Sequence, residues 1–146
     1  MAIFKRHQTD IFEDIREDHR IIRSYFTQAL AGDTDCYTQL RELLLSHMDA
    51  EEETLYPVLE ERDQTRFLSL SAEQEHHVAR LLLKELDSMK RKDEHWMAKL
   101  RVLFENVDHH IQQEEDEVLR QAPQVLSEGE QHQVVAEFEL ERGLLS

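Results

Sequence analysis

A chain of 146 residues is long enough for one domain with a continuous core, and a formal charge of −15 repels phosphate backbones and anionic lipid. With 3 glycines and 2 prolines there is little turn chemistry for a sheet protein, and the single cysteine, Cys36, offers neither a disulfide nor a thiolate metal site. Mean hydropathy is −0.65 and no stretch reads as a secretory signal or a membrane span, so nucleic acid and membrane are not expected partners and a reducing cytoplasm is the expected location.

Four long segments carry apolar residues at spacings of three and four, the mark of amphipathic helices. The first opens at Asp10, with Glu13 completing a capping box, and runs through Ile11, Ile15, His19, Ile22, Phe26 and Leu30 to a stop at Gly32. The second starts near Asp35 and carries Tyr37, Leu40, Leu44, His47, Glu51, Leu55 and Val58, with Pro57 kinking or ending it. The third is predicted roughly from Ser71 to Lys90, on a stripe of Ala72, His76, Ala79, Leu83 and Leu86. The fourth begins near Asp93 and carries Trp96, Leu100, Leu103, Val107, His110, Glu114 and Val118, with Pro123 beyond its end. Ser127 and Glu130 form a second capping box, which predicts a short fifth helix over about 128–142, closed by Gly143. Short connections make consecutive helices antiparallel neighbours. The predicted fold is therefore all-α, an antiparallel up-down-up-down four-helix bundle over about 10–122, within a single domain covering 1–146.

Each stripe contains a histidine where an apolar residue belongs, and two also contain a glutamate. His47-x-x-x-Glu51 in the second segment parallels His110-x-x-x-Glu114 in the fourth, and a spacing of four puts imidazole and carboxylate one turn apart on one face. His19 and His76 come from the other two segments, so each helical hairpin bears His…His-x-x-x-Glu and the pattern predicts a pseudo-twofold site. One histidine on an apolar stripe is ordinarily a hydrogen-bonded core residue. Four of them with two inward carboxylates need compensating charge, because an unpaired buried carboxylate costs several kcal/mol. A pair of metal cations supplies it, and an imidazole–carboxylate donor set suits iron, manganese or zinc. Helix phase selects His76 over His77 and His110 over His109. It also assigns Glu52, Glu53, Glu115 and Asp116 to a solvated face, and His7, His95 and His132 to the surface.

These strings resemble the hemerythrin family, in particular its bacterial HHE cation-binding branch. The resemblance rests on Asp18-His19, on His47-x-x-x-Glu51-Glu52-x-x-Leu55-Tyr56-Pro57, on Glu75-His76 and on His110-x-x-x-Glu114-Glu115, and it covers the chain to about residue 125. It implies two iron ions with an oxo or hydroxo bridge, Glu51 and Glu114 bridging them, His19 and His47 on one, His76 and His110 on the other. The oxygen-carrying members have a further histidine one turn before the third-helix ligand. Ala72 stands there in this chain, so the second iron has one protein ligand fewer. The expected function is binding of, or reaction with, O2, peroxide or nitric oxide, in sensing, detoxification or oxygen binding. Two other functions are set beside it: a metal-stabilised regulatory module that docks a protein partner, and iron storage or buffering. Apart from Glu117, no further acid or base on the stripes points to a catalyst.

Overall fold

The computed structural model describes residues 10–143, and among these every regular element is helical. Helix α1 is Ile11–Leu30. After a single 3-10 turn at Thr34–Cys36, α2 occupies 37–60 in three pieces: α-helical Tyr37–Ala50, a π turn at Glu51–Leu55, and α-helical Tyr56–Glu60. Helix α3 is Asp63–Asp87. Helix α4 occupies 94–125 in the same three-part form, with α-helical Glu94–Gln113, a π turn at Glu114–Val118 and α-helical Leu119–Val125. Helix α5 is Glu128–Glu141.

The ends of these helices follow local chemistry. The Asp10 carboxylate accepts the N–H groups of Phe12 and Glu13, while the Glu13 side chain turns to Arg20 instead of closing a reciprocal box. At α5 the box is complete: Ser127 accepts the Glu130 N–H, and the Glu130 carboxylate accepts the Ser127 N–H. Gly32 follows α1 at φ 118°, a backbone state that suits glycine.

Three boundaries differ from those the sequence predicts. Of the kink or end expected at Pro57, the end does not occur, because the π turn before it has already reorganised the hydrogen bonds that the proline would break. Pro123 lies inside α4 rather than beyond it. It falls in the last turn, where a missing N–H removes a single bond, and the Leu126 N–H closes that end on the Ala122 carbonyl at 2.9 Å. Helix α3 starts eight residues before the predicted Ser71. Its opening turns expose Phe67, which hides the apolar stripe that periodicity relies on, and the Thr65 hydroxyl anchors it by donating to the Leu59 carbonyl.

Neighbouring helices pack in order: α1 on α2, α2 on α3, α3 on α4, and α4 back on α1. Their buried faces form two apolar clusters. One gathers Phe26, Leu40, Leu83 and Trp96; the other gathers Ile15, Leu55, Tyr56, Leu119 and Phe138. Along the chain, α1 and α3 pass from the second cluster to the first, and α2 and α4 pass back. His19, His47, Glu51, His76, His110 and Glu114 fall at the crossing between clusters on each helix. Helix α5 adds Val134, Val135 and Phe138 to the second cluster and packs on α1 and α2.

The α1–α5 contact is ionic as well as apolar. The Arg142 guanidinium bonds Asp18 and lies 5.5 Å from the centre of the Phe138 ring. Beside it, burial and then the neighbouring Glu139 carboxylate push Asp14 from 3.8 up to about 8. Folded Asp14 thus keeps a proton that the unfolded chain releases above pH 3.8, so stability falls as pH rises from there to about 8. Asp14→Asn is expected to stabilise the chain most at pH 8, with the gain shrinking steadily towards pH 4. Melting temperatures across that range measure it, and a gain independent of pH would show that Asp14 does not hold the proton.

Candidate metal centre

All six residues singled out by helix phase are buried and converge between the two apolar clusters. Their ligand atoms fall into two groups within 4.8 Å of one another: His19, His47, Glu51 and Glu114 in one, and Glu51, His76 and His110 in the other. Glu51 belongs to both. His47 Nε2 is 3.3 Å from Glu51 Oε2, and His76 Nε2 is 3.2 Å from Glu51 Oε1. Glu114 Oε1 lies 3.1 Å from His19 Nε2 and 3.8 Å from His110 Nε2, so it too stands between the groups. His76 Nε2 and His110 Nε2 are 3.2 Å apart. Their sequence neighbours His77 and His109 are exposed, as are His95 and His132, while His7 lies outside the described residues.

The π turns begin at the two glutamates. Tyr56 N–H bonds the Glu51 carbonyl and Leu119 N–H bonds the Glu114 carbonyl, each reaching back five residues instead of four. The Thr54 hydroxyl donates to the Ala50 carbonyl at 2.7 Å, supporting the widened turn from its own side chain.

A ring of carboxylates outside the six orients the imidazoles. Each Nδ1–H donates to one: His19 to Glu115 and His76 to Glu52 at 2.7 Å, His47 to Asp18 at 2.7 Å, and His110 to Glu75 at 2.5 Å. All four Nε2 atoms are left facing the centre, the arrangement in which a carboxylate fixes tautomer and ring for metal binding. The pairing is pseudo-twofold. The acid just before a histidine in α1 or α3 serves the following helix, and the acid just after the glutamate in α2 or α4 serves the other pair of helices. Glu52 and Glu115 therefore do not join Glu53 and Asp116 on the solvated face. Phase describes where a Cβ points, and these longer side chains fold inward to an Nδ1–H on a neighbouring helix.

Tyr56 is a further residue that phase reasoning missed. Its buried hydroxyl contacts Glu51 Oε1 at 3.0 Å and Glu114 Oε2 more closely still, so it stands between the two shared carboxylates. Burial, then the charges of Glu114 and Glu51, keep that phenol protonated well above its ordinary range. Next to it, Ala72, Glu75, His110 and Glu114 line a small cavity on the side where an imidazole at position 72 would project.

The donor set fits a metal pair. His19 Nε2, His47 Nε2, Glu51 Oε2 and Glu114 Oε1 are buried without a well-formed hydrogen bond, a costly condition for six clustered titratable groups. Burial alone would neutralise the imidazoles, yet the surrounding carboxylates win. His19 is raised, His76 is raised to about 9, and His47 stands well above its usual value. Burial would likewise raise Glu51, but His47 and His76 hold it well below the carboxylate range. Protons thus occupy the positions of cations, and a metal must displace them. Two outcomes follow. Metal affinity is expected to climb with pH up to about 9, with acid released on addition of metal to weakly buffered protein. Glu52→Gln and Glu115→Gln are expected to weaken metal affinity about 10- to 100-fold while leaving the saturating stoichiometry unchanged. Affinities unaltered by either substitution would remove these carboxylates from the centre.

No curated protein and no solved structure matches the chain. A family profile does, that of the Hemerythrin HHE cation binding domain, over residues 10–122, which takes in all six buried residues and their four carboxylate partners. The chain therefore belongs to the hemerythrin family, through an HHE cation-binding domain.

Proposed function

We propose that the chain is a non-haem di-iron protein in which Glu51 and Glu114 bridge two ions, His19 and His47 complete one, and His76 and His110 the other. An oxo or hydroxo bridge accompanies the carboxylates. The fold in this reading is an antiparallel up-down-up-down four-helix bundle of one domain, with α5 laid against α1 and α2. The observation that carries it is the sharing of Glu51 by two buried ligand groups, with no sulfur in either. Membership in a cation-binding family supports it.

Iron at such a centre supplies one-electron chemistry and affinity for small ligands. The chain's own groups supply the setting. Apolar walls exclude water and so strengthen every electrostatic contact inside, the outer carboxylates hold the imidazoles in one tautomer, and Tyr56 keeps a proton between the two bridging carboxylates. With Ala72 in place of a seventh ligand, the His76–His110 side has room beside it. That room favours binding of, or reaction with, O2, peroxide or nitric oxide over simple carriage. No described helix is long and apolar enough to cross a membrane.

Metal analysis after reconstitution is expected to give about two irons per chain, with an oxo-bridge absorption band that responds to O2, azide or nitric oxide. Glu51→Ala and Glu114→Ala are expected to abolish that band while the protein stays helical by circular dichroism. A single metal at saturation, or a full iron complement and unchanged spectrum in either variant, defeats the dinuclear assignment.

A further inference from the structure

On the other side of the histidine layer from Tyr56 lies a second small cavity. His19, His47, His76 and His110 form its floor. Its walls are apolar, from Ile22, Leu44, Met48, Val107 and Ile111, with two exceptions, Glu75 and Asn106; the Glu75 carboxylate is taken up by His110 Nδ1–H. Asn106 lies on α4 one turn before His110 and contributes a carboxamide to this lining. The Asn106 Nδ2 is buried and has no hydrogen-bond partner among the described residues. The other buried polar side-chain atoms in that condition belong to the metal-binding layer or to the Asp14–Glu139 pair, where a cation or a shared proton answers for them. Nothing comparable among the described residues answers for Asn106. Leaving a buried donor unmade is costly, and the cost is met when a ligand supplies the acceptor.

We propose that Asn106 is a ligand-binding residue, the hydrogen-bond donor in the cavity above the histidines that retains a small ligand bearing negative charge, azide as it stands or nitric oxide to which reduced iron would have lent electron density. The inference rests on the di-iron reading above. The apolar part of the wall does not distinguish the polar ends of small molecules, and Glu75 is already engaged by His110, which leaves Asn106 as the unengaged donor. A single donor in a low-dielectric pocket then discriminates strongly for the molecule that brings or acquires negative charge.

The test uses iron-loaded full-length chain, wild type, Asn106→Leu and Asn106→Ala. Azide is titrated into the oxidised protein and nitric oxide into the reduced protein, with the N–O stretch recorded in H2O and D2O. Iron content and the resting spectrum are expected to be the same in all three. Azide is expected to bind about tenfold more weakly to Asn106→Leu, the scale of one hydrogen bond to a charged acceptor. The N–O stretch is expected to rise in frequency in both variants and to lose the D2O sensitivity of the wild type. Leu preserves shape among apolar neighbours, and Ala serves if Leu does not fold. Azide affinity within twofold of wild type, with an unshifted stretch and full iron, overturns the role of Asn106 and leaves the di-iron reading standing. Loss of iron in the variants overturns it as well, by making Asn106 part of the metal-holding structure. Iron-loaded wild type that binds neither azide nor nitric oxide refutes the ligand-binding reading itself.

Discussion

Four imidazoles and two carboxylates meet in the middle of a helical core, and the rest of the architecture answers to the cost of keeping them there. Without solvent, each ionised group must find its opposite charge or a hydrogen-bond partner within a few ångströms. The chain meets that demand in layers. The inner layer sets imidazoles against Glu51 and Glu114, the next sets carboxylates against each Nδ1, and beyond it Arg142 pairs with Asp18 and Arg80 with Glu52. Charge alternates outward from the centre until it reaches water. The two apolar clusters above and below exclude solvent from the layer, so these contacts act in a low dielectric.

Helical geometry had to yield to this arrangement. A regular α-helix presents one residue per turn to a given point, which is too sparse for a stretch that must supply Glu51, Glu52 and Tyr56 to one centre. The π turns at Glu51–Leu55 and Glu114–Val118 concentrate inward positions just where the carboxylates are required. Their placement at matching points of α2 and α4, like the matching Nδ1 partners, extends the pseudo-twofold relation from side chains to backbone.

The inner layer was legible in the sequence because it obeys two periodicities at once. A histidine on an apolar stripe is visible as an exception, and the separation of His76 from His77 and of His110 from His109 follows from about 100° per residue. What lay outside that rule was not legible. Asp18 and Glu75 sit beside histidines but serve the next helix, and Glu52 and Glu115 leave from outward positions. Tyr56 follows a π turn that alters the phase, so its hydroxyl could not be aimed from a count of residues. The early start of α3 was hidden for a different reason, since exposed Phe67 breaks the stripe. Capping residues, by contrast, act over three or four positions, and Ser127 and Glu130 marked the start of α5 correctly.

Helix α5 bears on where this protein ends as a working unit. The family match stops at residue 122, before α5 begins. Yet the Phe138 ring stands 5.9 Å from the ring of His47, and Arg142 holds the carboxylate that holds His47. A fragment cut at the limit of recognisable similarity would keep all six inner residues and lose the aromatic wall and the counter-charge on the His47 side. The two histidine pairs, so alike in pattern, are thus set apart by a segment outside the matched residues. The family match takes in residues 10–122, and the electrostatics of His47 reach a longer piece of chain.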